Sequence, residues 1–191
     1  MRLVLIGQSW LATETLRQLI KNGNRPIAVM PDKQDRFALL AMELGIPVID
    51  DLKSMPECDV ALAAHCHRYI PQGLLSRPHN GVLAYHPSLL PRHRGRDAVH
   101  WTIAMKDPIA GGTVYRMDEG ADTGDIVLQD WCHVLPGDTP QSLWRRELGP
   151  MGVRLLIESV KKLKNKGCLH AEKQANGPMT WEPSLTRPKL K

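Results

Sequence analysis

The chain has 191 residues, 42% of them hydrophobic and 24% charged, an ordinary globular composition with length for one sizeable core and a small annex. No window approaches the roughly 18 consecutive apolar residues of a membrane span, no cleavable signal pattern opens the chain, and Cys58, Cys66, Cys132 and Cys168 form no C-x-x-C pair. Disulfide scaffolds and zinc ribbons are thereby excluded, and a soluble cytoplasmic protein is expected. Lys and Arg number 25 against 20 Asp and Glu, a net charge of +5 that suits an anionic ligand, but aromatics make up only 5% and interleave with no basic run, so nucleic acid is not the expected partner.

Leu3 to Ile6, closed by Gly7, is a short continuous apolar run of the buried parallel-strand type, and Leu11 to Ile20 follows with helical spacing. Asn22-Gly23 stops that helix, Pro26 to Met30 reads as a second strand, and Phe37 to Leu44 as a helix ending at Gly45. Pro47 to Ile49 and Cys58 to Ala64 read as further strands. This alternation predicts an α/β fold, an open and mostly parallel sheet with helices on both faces.

The second half has a different texture. Gly81 to Tyr85 and Gly112 to Met117 are strand-like, with a helix over Asp97 to Met105 between them, and Ile126 to His133 is another strand. These strands are expected to pair antiparallel at a sheet edge. Pro136 to Pro140 leads into a helix capped by Asp138 or Thr139, running to about Lys166 with Gly167 as its stop. Gly149-Pro150 should break or kink it. Beyond Cys168, Pro178, Pro183 and Pro188 predict a short strand and an irregular tail, so the division expected is a catalytic domain over 1–167 and a tail over 168–191.

The first turn, Gly7-Gln8-Ser9-Trp10-Leu11-Ala12, lacks the second and third glycines of a dinucleotide fingerprint. The informative stretches are Tyr85-His86-Pro87-Ser88-Leu89-Leu90-Pro91-Arg92-His93-Arg94-Gly95 and Met117-Asp118-Glu119-Gly120-Ala121-Asp122-Thr123-Gly124-Asp125-Ile126. Pro87 and Pro91 stiffen a loop directly after a strand, which puts His86 where ligands of open α/β sheets bind. Asp122 lies in a glycine-flanked loop before a strand. If the two loops converge, an imidazole and a carboxylate meet in one cleft, a pairing suited to proton transfer near neutral pH. Taken as residues alone, the pair also fits a strand-end histidine bonded to a backbone carbonyl and a turn aspartate.

Other constellations are weaker. His65-Cys66-His67 would put two imidazoles on one side of a strand, half of a metal site, but no further ligand pair has recognisable spacing and no metal is expected. His86, His93 and His100 recur every seven residues, yet Pro87 and Pro91 prevent one helix from presenting all three. Trp101, Trp131, Trp144 and Trp181 fit core or covering roles, while Trp181 with Glu182 could reach an acceptor site.

The two informative stretches resemble the folate-dependent formyltransferases, whose pattern is His-Pro-Ser-Leu-Leu-Pro followed by an Asp-Thr-Gly or Asp-Gly-Gly loop. Order and spacing agree over Gly81 to Gln129. The resemblance implies the Rossmann-like α/β formyltransferase fold, N10-formyltetrahydrofolate as formyl donor, a small amine as acceptor, and His86 and Asp122 in the catalytic positions. A nucleophile would add to the formyl carbon, His86 would stabilise the charge on the formyl oxygen, and Asp122 would orient His86 or relay the nucleophile's proton. By the same resemblance Arg68, Tyr69 and Ile70 line the pterin pocket, largely through backbone groups and apolar contacts, and Met117, Asp118, Glu119, Gly120 and Ala121 close over it. Residues after Gly167 are too few for the extra domain of methionyl-tRNA formyltransferases, so tRNA is not the expected acceptor.

One departure is Ala84, which stands where the family usually has Asn two positions before the histidine. Loss of such an oxyanion donor costs on the order of 3 kcal/mol. An apolar residue there, within the run Tyr-His-Pro-Ser-Leu-Leu-Pro-Arg-His-Arg-Gly, resembles the hydrolase domain of 10-formyltetrahydrofolate dehydrogenases and makes water a second candidate acceptor. A folate-binding protein without catalysis is the third reading.

Overall fold

The strand Leu3–Gly7 (β1) is buried at every residue, with Leu3 and Leu5 in one apolar cluster and Val4 and Ile6 in another. A strand wet on one face would alternate apolar with polar residues; this one lies between two dry layers, which is why its sequence is an unbroken apolar run. The computed structural model describes residues 1–177 and 179–185. The other strands are Ala28–Pro31 (β2), Val60–Ala64 (β3), Val82–His86 (β4), Ile109–Arg116 (β5) and Ile126–His133 (β6), in one sheet of order β2-β1-β3-β4-β5-β6. The first three pairings are parallel and the last two antiparallel, the sheet-edge change expected from the texture of the second half.

The longer helices share one face. Ser9–Lys21 (α1), Arg36–Glu43 (α2) and Gly149–Lys166 (α6) contribute Leu16, Phe37 and Leu156 to the larger cluster. The short helix Gln72–Leu75 (α3) and a single 3-10 turn at Leu52–Ser54 sit over the smaller one. Ala98–Ala104 (α4) and Pro140–Leu143 (α5) complete the set. Asp35 caps α2 through Oδ1, which accepts from Phe37 N at 2.9 Å, while its Oδ2 accepts from Ser9 N at 2.6 Å and so fixes where α1 starts.

Two sequence expectations need correction and one is met in a particular form. Pro47 to Ile49 forms no full strand; it adds a single parallel bridge, Val48 to Val29, on the outer edge of β2, with Val29 N donating to Pro47 O and Ile49 N to Val29 O, both at 2.9 Å. Gly149-Pro150, expected to break or kink the helix, interrupts its α-helical bonding without ending it. Pro150 has no N–H for the Arg146 carbonyl, and the chain absorbs the defect in one wide π turn, Trp144–Leu148, where the Gly149 N–H reaches back five residues to Trp144 O. The short strand expected after Cys168 is replaced by isolated bridges, Glu172 to Ile126 and Trp181 to Arg94. The expectations for Pro178, Pro188 and the rest of the tail beyond Leu185 fall outside the described residues.

Tyr85 locks β4 to the helical layer. A methyl built on Gly152 would lie 2.6 Å from Tyr85 Cε1, and one on Gly112 2.7 Å from Tyr85 Cζ, so two glycines make the slot that the ring fills. Its hydroxyl donates to Leu148 O at 2.7 Å in a buried setting, and burial holds the phenol above its ordinary range. Tyr85→Phe keeps the packing and removes that donor, so denaturant unfolding should show a loss of about 1 kcal/mol. An unchanged midpoint would mean that the hydroxyl bond contributes nothing net.

Candidate active site

β4 delivers His86 at its carboxyl end, and the loop between β5 and β6 delivers Asp122, a non-glycine residue at φ 57. His86 Nδ1 and Asp122 Oδ2 stand 3.5 Å apart. The opposite ring nitrogen, Nε2, is 2.7 Å from the His93 carbonyl oxygen. A carbonyl can only accept, so Nε2 carries a proton and Nδ1 is the nitrogen turned to the carboxylate. Asp122 is held on every side: Oδ2 accepts from Gly95 N at 2.8 Å, Oδ1 from Tyr115 Oη at 2.7 Å, and its backbone carbonyl from Gln174 Nε2 at 2.8 Å. Burial, and then the charge of Asp122, hold the Tyr115 phenol well above its ordinary range, so it remains a donor.

Both side chains face a cavity of about 1040 Å³ at the carboxyl ends of the parallel strands. Binding crevices of open α/β sheets lie there. Ala84, two residues before His86 and therefore on the same face of β4, presents only a methyl group to this cavity, with Tyr115 as its partner on β5.

The remaining sequence-predicted residues divide. Met117 and Ala121 line the cavity, whereas Asp118, Glu119 and Gly120 lie exposed. Asp118 Oδ1 accepts from Gly120 N at 3.1 Å and Thr123 Oγ1 at 2.6 Å, so it shapes the loop. Arg68 turns its guanidinium away, donating to Asp50 O at 2.7 Å and Pro31 O at 2.6 Å with Asp32 Oδ1 3.1 Å from Nε. Tyr69 is 74% exposed and Ile70 is buried in the smaller cluster, and none of the three lines the cavity.

The wall expected from Arg68 to Ile70 is supplied instead by His65, Cys66 and His67. His67 Nδ1 accepts from Arg96 at 2.9 Å and from Gln8 Nε2 at 3.2 Å, and the two imidazoles meet edge to face at 4.8 Å. Burial lowers both below the ordinary imidazole range, reinforced at His67 by Arg96 and at His65 by His67. Burial and then Asp32 push the Cys66 thiol up to about 12. Among the described residues no group of three or more His, Cys, Asp or Glu side chains could hold a metal ion.

Sequence reasoning missed His93. As expected, no helix links the histidines seven residues apart, yet the His93 carbonyl orients His86 and its ring lies between two carboxylates. The tail also reaches the site, with Trp181, Glu182 and Pro183 in the cavity wall. Trp181 with Glu182 was the only sequence signal for it.

The family model described as formyl transferase matches residues 16–159. The chain belongs to the formyl transferase family. It is 35% identical to the cytosolic 10-formyltetrahydrofolate dehydrogenase of Xenopus tropicalis, over 96% of this chain but only 22% of that protein. It is 31% identical to the methionyl-tRNA formyltransferase of Acidobacterium capsulatum, over 98% of this chain and 67% of that protein. The N-formyltransferase of Helicobacter canadensis, solved with folinic acid and dTDP-3-aminofucose, shares the formyltransferase fold with a TM-score of 0.83 at 20% identity, over 95% of this chain and 70% of that one. The chain thus spans about a fifth of the length of the dehydrogenases it matches. Among the described residues no helix is long and apolar enough to cross a membrane.

Proposed function

We propose that this chain transfers the formyl group of N10-formyltetrahydrofolate to a small amine in the cytoplasm, with His86 and Asp122 as the catalytic pair. The observation that carries the reading is the division of labour on the imidazole: Nε2 is committed to the His93 carbonyl, which leaves Nδ1, beside Asp122, as the nitrogen available to substrates. In the reaction the amine nitrogen bonds to the formyl carbon, the bond from that carbon to folate N10 breaks, and an amine proton ends on N10. A protonated Nδ1 stabilises negative charge developing on the formyl oxygen, and Asp122 orients the ring and takes or returns the amine proton.

The cavity fits such a donor. It is large enough for a drug-sized ligand, and apolar side chains such as Leu11, Ala63, Val99 and Met117 line it beside the polar groups at its floor. Met117 and Ala121 would bear on the pterin directly, Asp118, Glu119 and Gly120 would hold their loop, and the segment Arg68, Tyr69 and Ile70 would act from behind the wall formed by His65 to His67. A second groove of about 720 Å³, lined by Trp10, Trp144 and Arg145 among others, shares Trp144 and Val99 with the first and gives an acceptor room to approach. The relatives supply the donor class: one is named for 10-formyltetrahydrofolate and the Helicobacter enzyme was solved with folinic acid.

Tetrahydrofolate release from the formyl donor, with and without a panel of amines, tests the reading. Release that depends on an amine is the expected result. Amine-independent release that His86 controls would instead establish hydrolysis, and binding without release would leave a non-catalytic folate binder.

Hydrolysis is the second reading because of Ala84, whose methyl occupies the face from which a side-chain amide would donate to the formyl oxygen. Ala84→Asn should raise amine formylation over hydrolysis by roughly tenfold or more, since one oxyanion donor is worth about 10²–10³ in rate when ideally placed. An unchanged product ratio would mean that another donor already fills that role.

A further inference from the structure

We propose that Glu182 is a positioning residue for the catalytic pair, acting through His93. This rests on the reading that His86 is the working imidazole. The His93 ring is 2% exposed and sits between two carboxylates, with Nε2 2.8 Å from Asp107 Oδ2 and Nδ1 3.0 Å from Glu182 Oε1. Asp107 is itself fixed by Arg92, which donates to both its oxygens at 2.7 Å and holds the carboxyl below its ordinary range. The tail adds two backbone ties: His93 N donates to Thr180 Oγ1 at 2.7 Å, and Arg94 N to Thr180 O at 3.0 Å.

These contacts hold a backbone that would otherwise relax. His93 has φ 54, a left-handed conformation that costs a non-glycine residue on the order of 1 kcal/mol or more. In that conformation its carbonyl accepts from His86 Nε2 at 2.7 Å, and two residues on, Gly95 N donates to Asp122 Oδ2 at 2.8 Å. One three-residue stretch therefore sets both members of the pair. The tail lies directly on it, since a methyl on Gly95 would come within 3.2 Å of Glu182 O.

The other oxygen of Glu182, Oε2, is buried with no hydrogen-bond partner among the described residues. An unsatisfied buried carboxylate oxygen is a cost that tethering a tail does not require; a neutral side chain would anchor it with less penalty. Placing a carboxylate on His93 gives that cost a use. The tail segment 179–185 is then part of the catalytic machinery rather than a cover over it.

The test uses the full chain with ¹⁵N-labelled histidine, reading the His86 Nε2–H resonance (assigned by its absence in His86→Gln) beside steady-state kinetics. The wild type should show a protected Nε2–H. In Glu182→Ala that resonance should broaden or vanish, and kcat should fall roughly 10- to 100-fold, the scale of loss when a catalytic group is misplaced by up to about 1 Å. The KM for the formyl donor should change far less than kcat, because Glu182, although in the cavity wall, has one carboxylate oxygen on His93 and the other buried. Glu182→Gln, whose amide oxygen can still accept from His93 Nδ1, should recover the resonance and most of kcat. Thr180→Val, which removes only the hydroxyl bonded to His93 N, should shift the resonance and lower kcat several-fold, and it carries the test if Glu182→Ala fails to fold.

A wild-type His86 with no protected Nε2–H overturns the proposal. So does an unchanged resonance and kcat in Glu182→Ala, or in Thr180→Val where that variant stands in. Loss of stability alone in Glu182→Ala would mark a structural anchor and equally overturn it. Should the wild type release no tetrahydrofolate at all, the formyl-transfer reading fails, while the resonance comparison, which needs no substrate, still decides the role of Glu182.

Discussion

His86→Ala is expected to lower kcat for tetrahydrofolate release by roughly 10³-fold, with donor binding within a few-fold of wild type. The magnitude follows from what the ring does. A positioned acid or base contributes about 10²–10⁴, and here the same nitrogen, Nδ1, would both stabilise the formyl oxygen and communicate with Asp122 at 3.5 Å. Asp122→Asn should cost less, about 10²-fold, because its amide oxygen can keep the bond from Gly95 N while its NH₂ donates to Tyr115 Oη in place of the bond accepted there, and only the charge opposite Nδ1 is lost outright. His86→Ala also leaves the His93 carbonyl without its donor, so unfolding must be measured beside turnover; a loss of about 1 kcal/mol would be the ordinary cost of that bond. Activity within a few-fold of wild type in a folded His86→Ala protein would reduce His86 to the strand-end histidine that the sequence also allows.

The parts of this architecture that the sequence announces are those where a local pattern and the final environment agree. β1 and β3 are legible because both their faces are dry, and His86 is legible because two prolines stiffen the loop after its strand. What stays hidden depends on contacts between residues far apart in the chain. His93 meets Glu182 across 89 positions and Arg94 meets Gln174 across 80, and no periodicity encodes such pairs. Gly149-Pro150 announces a defect but not its form: proline's missing N–H interrupts regular α-helical bonding, and a π turn that shifts the bonding by one residue lets the helix continue. Arg68 shows the reverse failure. Its position after β3 places it near the cleft, yet the carbonyls of Pro31 and Asp50 and the carboxylate of Asp32 outside the cavity claim its guanidinium.

Gly124→Ala should be the substitution that joins stability to catalysis most directly. A methyl on Gly124 overlaps the Arg116 carbonyl oxygen and falls 2.9 Å from its carbon. That carbonyl cannot retreat: Arg116 is paired with Leu83 in the ladder between β4 and β5, and its N–H donates to Asp125 O at 2.9 Å. The loop must move instead. Gln174 Nε2 bonds the carbonyls of both Asp122 and Gly124 at 2.8 Å, so displacement of one is passed to the other. The expected cost is about 1–3 kcal/mol of stability, the range for overpacking a close contact. A shift of about 1 Å at Asp122 should bring a kcat loss on the order of 10²-fold even where the protein stays folded. Gly73→Ala is the control, because a methyl there meets nothing within 4 Å and the residue is helical; stability should hold or rise slightly and turnover should be unchanged. If Gly124→Ala lost stability but kept its kcat, the loop would have rebuilt the position of Asp122 by another route, and the glycine after Asp122-Thr123 would serve packing alone.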